Sequence, residues 1–572
     1  MPLLLGTVVF AAILLAAAGA GTLVAGSRFP LALRSALGLA VLAHALFVLG
    51  LLGWLRPAPI IALYVIAIGG AAAAHGCRNV PAPEGGRRST SYLPLLAFFV
   101  PLFLLALHPP LAFDETLYHL PFIRAAAESG RLQFLTGNRF PVFPQLHELL
   151  CVPPFLVGGD VATHLVSLAE LVILSALVYE WGGALATALL LGSPIVLYFG
   201  TVLYVDTALA LFVAAGFYCL DREHDALAGF FLGSACSVKY LGGFFAAAAL
   251  VIRRRMKYAL WCLAAALPTT LWIFAYTRDP LFPFVRDSLW RIHFAPVSLG
   301  ARIVRTLTLL WNVTFARQHV NFQPPVTPLL IGIVIALIAI ARRDLRARIV
   351  AILCAAYVIV FAFLPQDTRY LVPLLPLICV AVAQRLWRPL PSAVARRNAP
   401  LAGKAGGAAE GSGTHKGDGA SAIRWIAIAP GVFYIAYRLV VMGLPPVNDA
   451  QRDAELRTRV PEYAAVVRAG DDRVYACGGE QLKYYARGSL IGDENGPFAY
   501  GRILAPDTAT LAERLRAIGV QSFLVAKRAC KPPRPNGGME LVYEDASAQL
   551  WRVMASTRPR APDSSGTSQP LP

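Results

Sequence analysis

The sequence has few charged residues. Asp, Glu, Lys and Arg together make up only 15% of its 572 residues, whereas soluble proteins usually contain about a quarter. Hydrophobic residues account for 57%. They come in blocks of roughly 15 to 25 residues, about the length that a helix needs to cross the hydrocarbon core of a bilayer. This composition excludes an ordinary soluble domain and predicts a polytopic α-helical membrane protein.

The sequence also lacks closely spaced cysteines. Its nine cysteines form no CxxC motif and no zinc-type spacing, so the common cysteine metal and redox motifs are excluded. Seven of them lie in or beside apolar blocks, where cysteine acts as a small hydrophobic side chain. Cys477 and Cys530 instead follow two predicted strands. They either form a disulfide in an oxidising compartment or stay as two reduced thiols.

The net charge of +18 has a local explanation. Basic residues cluster in short loops between apolar blocks, as in 253–257, 342–348 and 385–397. This is the positive-inside pattern, which orients a membrane protein and needs no polyanion, so no nucleic acid partner is expected. The first residues lack the basic region of a cleaved signal peptide, and their apolar stretch is too long for one. Residues 3–25 are therefore predicted to be the first span.

About 12 to 14 transmembrane helices are predicted from the apolar blocks. The blocks lie at 3–25, 31–55, 57–76, 92–108, 161–180, 184–201, 204–220, 226–239, 241–252, 258–276, 327–341, 349–364, 370–388 and 424–443. Two of them, 226–239 and 241–252, are too short to cross singly and form either one tilted span or a short hairpin. If the basic loops are cytoplasmic, alternation places residues 109–160 and the C-terminal part outside.

The chain divides into four predicted regions. Residues 1–91 hold additional N-terminal transmembrane helices, and residues 92–443 form the main transmembrane domain. That domain includes the outer loop 109–160 and a Gly- and Ala-rich cytoplasmic linker, 389–423, predicted to be disordered. Residues 444–555 read as a small extracytoplasmic α/β domain, with short strands such as "DRVYAC" and "QSFLVAK" and a helix in "TATLAERLRAIG". The polar tail 556–572 is predicted to be disordered.

The stretch "FDETLYHLP" (113–121) places two adjacent carboxylates directly after an apolar block. Asp114 could simply cap the following helix by accepting hydrogen bonds from its first amides. However, Tyr118, His119 and Arg124 follow at helical spacing. A simple membrane boundary does not require this combination, so the stretch is also a candidate functional site.

Four further residues fall on the same predicted outer face: Asp206, Lys239, Arg369 and Tyr370. Asp206 stands inside an apolar block, where a carboxylate costs roughly 2.5–3.5 kcal/mol at mid-membrane. It is either a helix cap or part of a site. Lys239 either extends harmlessly to the interface or binds a lipid phosphate. Arg369 is either an interfacial anchor or an anion contact, since its planar guanidinium suits phosphate oxygens.

In their order along the chain, these segments resemble the GT-C superfamily of polyprenyl-phosphate-sugar-dependent glycosyltransferases. The likeness is to the branch that contains protein O-mannosyltransferases and lipid A aminoarabinose transferases (family 39-like). The segments that carry it lie mostly within residues 92–390 and are "FDETLYHLP", "FPVFPQLHELL", "YVDTALALF", "SVKYLGG", "DPLFPF" and "TRYLVPLLPL". The likeness extends to a C-terminal outer domain, but residues 1–91 precede the usual first span.

The resemblance implies a function. Residues 92–443 would be the catalytic domain and 109–160 its outer catalytic loop, with Asp114 as the general base of an inverting transfer to an acceptor hydroxyl. Glu115 would orient the acceptor or Asp114, or help to bind a metal. A divalent cation is allowed but not required, and no metal ligand set is predicted. The residues implied to bind substrate are Tyr118, His119, Asp206, Lys239, Arg369 and Tyr370.

The implied partners are a polyprenyl-phosphate-linked sugar donor, a lipid, glycan or protein acceptor, and membrane lipids. The implied location is the bacterial inner membrane, with the site facing the periplasm. Two other readings stay open. A lipid or glycan transporter or flippase would line a path with its buried charges, although no internal repeat of the kind common in transporters is found in the sequence. A non-catalytic factor of envelope assembly would retain the scaffold alone.

Overall fold

A computed structural model of the chain describes residues 3–76, 93–286, 288–292, 297–315, 324–387 and 416–555. Within these ranges a helical bundle is followed by a small sheet domain, which confirms the predicted fold class. The predicted tail 556–572 and most of the predicted linker lie outside the described residues. The linker's last residues, 416–423, belong to a helix that begins at Lys416 rather than to a disordered segment.

Helices account for most of the bundle. In its first half they are α1 (Leu3–Ala25), α2 (Leu31–Leu52), α3 (Pro57–Gly76), α4 (Leu93–Ala106), α5 (Leu120–Ser129), α6 (Leu146–Leu191), α7 (Pro194–Phe199), α8 (Asp206–Asp221), α9 (Asp225–Val238), α10 (Gly242–Arg253) and α11 (Met256–Thr277). In its second half they are α12 (Leu299–Leu307), α13 (Leu309–Thr314), α14 (Leu330–Ala341), α15 (Leu345–Phe363), α16 (Leu375–Trp387) and α17 (Lys416–Met442).

Seven helical stretches of the described chain are long and apolar enough to cross a membrane. They are Leu3–Arg28, Leu31–Leu52, Leu146–Leu191, Met256–Thr277, Leu345–Phe363, Thr368–Leu386 and Ser421–Met442. Large apolar side chains such as Leu263, Ile352 and Phe433 are exposed on these helices. Lipid tails accommodate such a surface and water does not. The chain is therefore a multi-pass membrane protein.

Breaks interrupt several helices of the bundle. The predicted short blocks 226–239 and 241–252 are two separate helices, α9 and α10, and Lys239 between them is extended. Helix α6 begins at Leu146, inside the predicted outer loop, and leaves helical geometry at Gly159, where φ is +71°, and again at Gly183, where φ is +77°. Pro153 and Pro154 conceal this first helical segment in the sequence, because proline normally interrupts a helix.

Two groups of charged residues lie at opposite ends of the bundle. Helix α8 runs from Asp206 to Asp221, so its ends lie roughly 24 Å apart at 1.5 Å per residue. At the Asp221 end, the predicted cytoplasmic loops meet through ion pairs, which are Asp221–Arg346, Asp225–Arg255 and Asp344–Arg385. These loops therefore lie together at one end of the bundle, as predicted, and Asp206 lies at the opposite end.

The C-terminal domain contains a mixed five-stranded sheet. Its strands are β1 (Val474–Cys477), β2 (Leu490–Ile491), β3 (Ser522–Ala526), β4 (Met539–Glu544) and β5 (Ala548–Val553), in the order β2-β1-β3-β5-β4. The central strand β3 is parallel to β1 and antiparallel to β5. The domain's helices are α18 (Asp449–Arg459), α19 (Tyr463–Ala469), α20 (Tyr500–Ile503) and α21 (Thr508–Ala517). Cys477 and Cys530 form a disulfide with their Cα atoms 6.0 Å apart, which decides the alternative left open by the sequence.

The close packing of α1 against α2 gives a first prediction. A Cβ at Gly38 would lie 1.7 Å from the carbonyl oxygen of Ala17 on α1, whereas a Cβ at Gly332 on α14 would meet no atom within 4 Å. Gly-to-Ala changes normally favour a helix. We therefore expect Gly38→Ala to lower the apparent melting temperature of the purified protein, at a cost of about 1–3 kcal/mol from overpacking. Gly332→Ala is the matched control and should leave it unchanged or higher. Equal melting temperatures for the two variants would contradict the packing.

Candidate functional site

The predicted motif "FDETLYHLP" forms a tight turn at the end of the bundle opposite the basic loops. Residues Glu115–His119 form a π-helical turn that continues directly into α5. Such turns are uncommon and often occur at functional sites. The turn begins directly after Asp114, and so sets the direction in which the Asp114 side chain leaves the backbone.

Glu115 holds this turn in place. Its side chain is fully buried, and Oε2 accepts hydrogen bonds from the amides of Leu111 (3.2 Å) and Ala112 (3.1 Å). Oε1 accepts from the amide of Leu203 (3.0 Å) and bonds to His164 Nε2. With both oxygens occupied by the protein's own groups, the geometry favours a role for Glu115 in orienting the loop.

Asp114 does not cap the helix. Its carboxylate makes no hydrogen bond to the amides of the turn. Instead Oδ2 accepts a hydrogen bond from the Tyr118 hydroxyl at 3.0 Å and one from Arg369 Nη1 at 2.5 Å. The Asp114 amide in turn donates to the Tyr204 hydroxyl at 3.2 Å. The carboxylate therefore faces the other candidate residues.

Arg369 comes from a distant part of the sequence and meets Asp114 in a largely enclosed place. It lies in the 3₁₀ turn Thr368–Leu374, just before α16, and its side chain is only 15% exposed. A second ion pair joins Arg369 Nε to Asp367 at 3.0 Å. The guanidinium lies 5.5 Å from the ring centres of both Tyr204 and Tyr370. Such burial does not fit the interfacial anchor that the sequence left open.

A third ion pair completes the cluster. Asp206, the first residue of α8, is fully buried; its Oδ1 accepts a hydrogen bond from Lys239 Nζ at 2.8 Å, and its Oδ2 accepts none from the residues that the structure describes. The break between α9 and α10 delivers Lys239 to this position. Its ammonium lies 4.8 Å from the centre of the Tyr370 ring, which Arg369 also contacts. The two cations therefore share one aromatic neighbour.

Burial and the neighbouring cation act in opposite directions on Asp114. Burial by itself would raise the pKa of its carboxyl group. The charge and hydrogen bond of the Arg369 guanidinium, together with the hydrogen bond from Tyr118, oppose this, and the pKa falls below the usual carboxyl value. The Tyr118 hydroxyl responds oppositely, because burial and the nearby Asp114 charge both raise its pKa. Asp114 is thus ionised at neutral pH, and Tyr118 is a neutral hydrogen-bond donor.

The structure adds residues that the sequence does not single out. His119 Nδ1 bonds to Glu148 Oε1 at 2.6 Å, and both side chains are buried. Glu148 belongs to the "FPVFPQLHELL" segment, which is predicted to lie in the outer loop, where a single acid does not stand out. Tyr204, His164 and Asp367 likewise become visible only through their partners. Within the described ranges, no group of three or more His, Cys, Asp or Glu side chains is arranged to hold a metal ion.

Comparisons with known proteins find similar solved structures. The chain is similar to ArnT from Cupriavidus metallidurans in the apo state, with a TM-score of 0.46 and 15% identity over 80% of this chain and 96% of that one. It is similar to the same protein bound to undecaprenyl phosphate, with a TM-score of 0.47 and 15% identity over 82% and 99%. It is also similar to the arabinofuranosyltransferase AftD from Mycobacteria, with a TM-score of 0.41 and 15% identity over 82% of this chain and 42% of that one.

The sequence comparisons are narrower. A family model described as SF2091/S2213 matches residues 451–552, which lie in the C-terminal domain. A search of curated proteins finds no match.

The lowered pKa of Asp114 leads to a prediction about stability. A carboxyl group whose pKa is lower in the folded state contributes stability above its ordinary pKa of about 4 and loses it as the pH falls through the lowered value. We expect Arg369→Gln to lower the apparent melting temperature at neutral pH, because breaking a buried pair costs roughly 3–5 kcal/mol. The deficit should shrink as the pH falls, because without the guanidinium burial raises the pKa of Asp114, so its carboxyl group protonates in the variant at a higher pH than in the wild-type protein.

Arg457→Gln is the control for this measurement, because Arg457 forms an exposed pair with Asp453 four residues away. Such pairs contribute little to stability. A deficit for Arg369→Gln that is no larger than that of the control, or that grows on acidification, would show that Asp114 does not depend on Arg369.

Proposed function

We propose that this protein is an integral membrane glycosyltransferase. It transfers a sugar from a polyprenyl-phosphate donor to an acceptor hydroxyl at the outer face of the membrane, with inversion at the anomeric carbon. The observation that carries the proposal is the joining of Asp114 to Arg369 beside the Asp206–Lys239 pair, at one end of a membrane-embedded bundle. Carboxylates paired with two cations in a partly enclosed site match the requirements of sugar transfer from a lipid phosphate.

The cations suit the phosphate of the donor. The guanidinium of Arg369 can bind two phosphate oxygens at once, and the ammonium of Lys239 adds a point charge. As the bond between the anomeric carbon and the phosphate oxygen breaks, negative charge accumulates on the departing lipid phosphate. Cations held in place by Asp367, Asp206 and the Tyr370 ring stabilise that charge.

Asp114 suits the role of general base. The acceptor oxygen attacks the anomeric carbon, its proton passes to the Asp114 carboxylate, and the lipid phosphate leaves with the electrons of the broken bond. A donor phosphate that binds Arg369 competes with Asp114 for the same guanidinium. Loss of that partner leaves burial as the dominant influence, which raises the carboxyl pKa and makes Asp114 a stronger base.

The surrounding residues take supporting roles in this proposal. Glu115 fixes the backbone of the turn by accepting the hydrogen bond of the Ala112 amide, and the Tyr118 hydroxyl orients the Asp114 carboxylate. The His119–Glu148 pair lies directly beside Tyr118, whose ring centre is 4.2 Å from that of His119. We place the site on the periplasmic side of a bacterial inner membrane, because the basic loops gather at the other end of the bundle.

The test is transfer by the purified protein with a panel of polyprenyl-phosphate sugars. We expect Asp114→Asn to lower the rate of transfer by roughly 10²–10⁴-fold, because Asn cannot accept the proton. Asp449→Asn is the matched control, since Asp449 is exposed in the first turn of α18, and it should retain wild-type turnover.

Wild-type turnover by Asp114→Asn would remove the base assignment. No turnover of any donor by the wild-type protein would favour a transporter, a flippase or an assembly factor on the same scaffold.

A further inference from the structure

The C-terminal domain touches the catalytic turn directly. Its segment Lys483–Ala486 lies against the backbone on both sides of Asp114. The amide of Tyr484 donates a hydrogen bond to the Thr116 carbonyl at 3.1 Å, and the Tyr485 hydroxyl donates one to the Pro110 carbonyl. The segment of backbone that carries Asp114 is therefore held at two points by the same two consecutive tyrosines.

Arg124 strengthens this contact from the side of the helical bundle. It lies on α5, the helix that continues the turn, and its Nη2 donates to the Tyr484 carbonyl at 2.6 Å. Its Nη1 donates to the Ala486 carbonyl at 3.4 Å, and the guanidinium lies 4.1 Å from the centre of the Tyr484 ring. The hydrogen bonds run in both directions across the contact, which fixes its register.

A buried charge cluster holds Lys483, the first residue of the same segment. The Lys483 side chain is only 2% exposed, and its Nζ donates to the Gly137 carbonyl at 2.9 Å and to Asp493 at 2.8 Å. Arg139 from the outer loop binds the other oxygen of Asp493 at 2.6 Å. Burial lowers the pKa of Lys483, and the Asp493 carboxylate only partly offsets this. Such a cluster is costly to separate.

We propose that the C-terminal domain positions the Asp114 carboxylate through Lys483–Ala486. Tyr485 and Arg124 are positioning residues in this scheme, since neither bonds to the Asp114 side chain. The inference rests on the proposed function, because it assigns the domain a part in placing the general base. A base works within hydrogen-bond reach of its proton, and a misplacement of about 1 Å can cost roughly a hundredfold in rate.

The test uses the full-length protein and the double variant Arg124→Gln with Tyr485→Phe. Tyr543→Phe is the control, because the Tyr543 hydroxyl also makes one hydrogen bond, to Asp545 at 2.7 Å within the C-terminal domain. We expect the double variant to lower kcat roughly tenfold to a hundredfold while KM for the donor changes less than about twofold, since Arg369 and Lys239 are untouched.

Hydrogen–deuterium exchange gives the second readout. Exchange of the backbone amides in residues 111–124 should rise in the double variant, remain low in Tyr543→Phe, and stay unchanged in α8 in both. The proposal is overturned if kcat and exchange in 111–124 match the wild type. A rise in exchange throughout the bundle with a parallel change in KM also overturns it, since that result indicates general destabilisation.

The two proposals can fail separately. If the wild-type protein turns over no donor, the proposed function fails, and exchange in residues 111–124 still decides whether the domain orders the turn. If the wild-type protein is active and the double variant equals it in kcat and exchange, the positioning role alone is wrong.

Discussion

The ion pair between Asp114 and Arg369 joins two segments that lie 255 residues apart in the sequence. Both side chains are about 85% removed from solvent, with exposures of 14% and 15%. Neither charge is tolerable there alone, because an unpaired buried charge carries a desolvation penalty of several kcal/mol. The π-helical turn and the 3₁₀ turn before α16 must therefore come together, and the other parts of the site are arranged around this requirement.

The same physical rule organises the second layer of the site. Glu115 shares its oxygens with three amides and His164, Glu148 pairs with His119, and Asp206 pairs with Lys239. Each buried acid has a partner from another element, so the helices that contribute these residues cannot shift independently. The C-terminal domain adds Tyr484 and Tyr485 to this arrangement from outside the bundle. The result is a preorganised acid beside two cations, the arrangement that electrostatic catalysis requires.

Much of this fold is readable in the sequence, because apolar blocks and alternating strands leave direct patterns. The helices at 3–25 and 57–76 and the strands within "DRVYAC" and "QSFLVAK" of the C-terminal domain lie where those patterns predict them. Asp206, Lys239 and Arg369 stand out in the sequence for a related reason, namely that a charge within apolar surroundings needs an explanation. The sequence does not show which carboxylate forms an ion pair with which cation.

Other features depend on tertiary contacts and leave no local signal. Glu148 lies in a predicted loop and His164 near the start of a predicted span, and only the folded chain shows their partners. Glu115 illustrates the converse. It stands next to Asp114, and the resemblance implies that it orients the acceptor or Asp114, or helps to bind a metal. The π-helical turn directs its carboxylate inward to backbone amides and that of Asp114 toward Arg369. The start of α6 at Leu146 is hidden in the sequence by two prolines that the buried helix accommodates.

In the proposed mechanism, Asp114 and the donor's phosphate compete for Arg369. The most direct test of this claim is the affinity of the purified protein for a polyprenyl phosphate without a sugar, measured by native mass spectrometry for the wild type and for Asp114→Asn. If the carboxylate competes, its removal should tighten binding by several-fold, up to roughly the tenfold that corresponds to 1.4 kcal/mol. Unchanged or weaker binding by Asp114→Asn would contradict the claim.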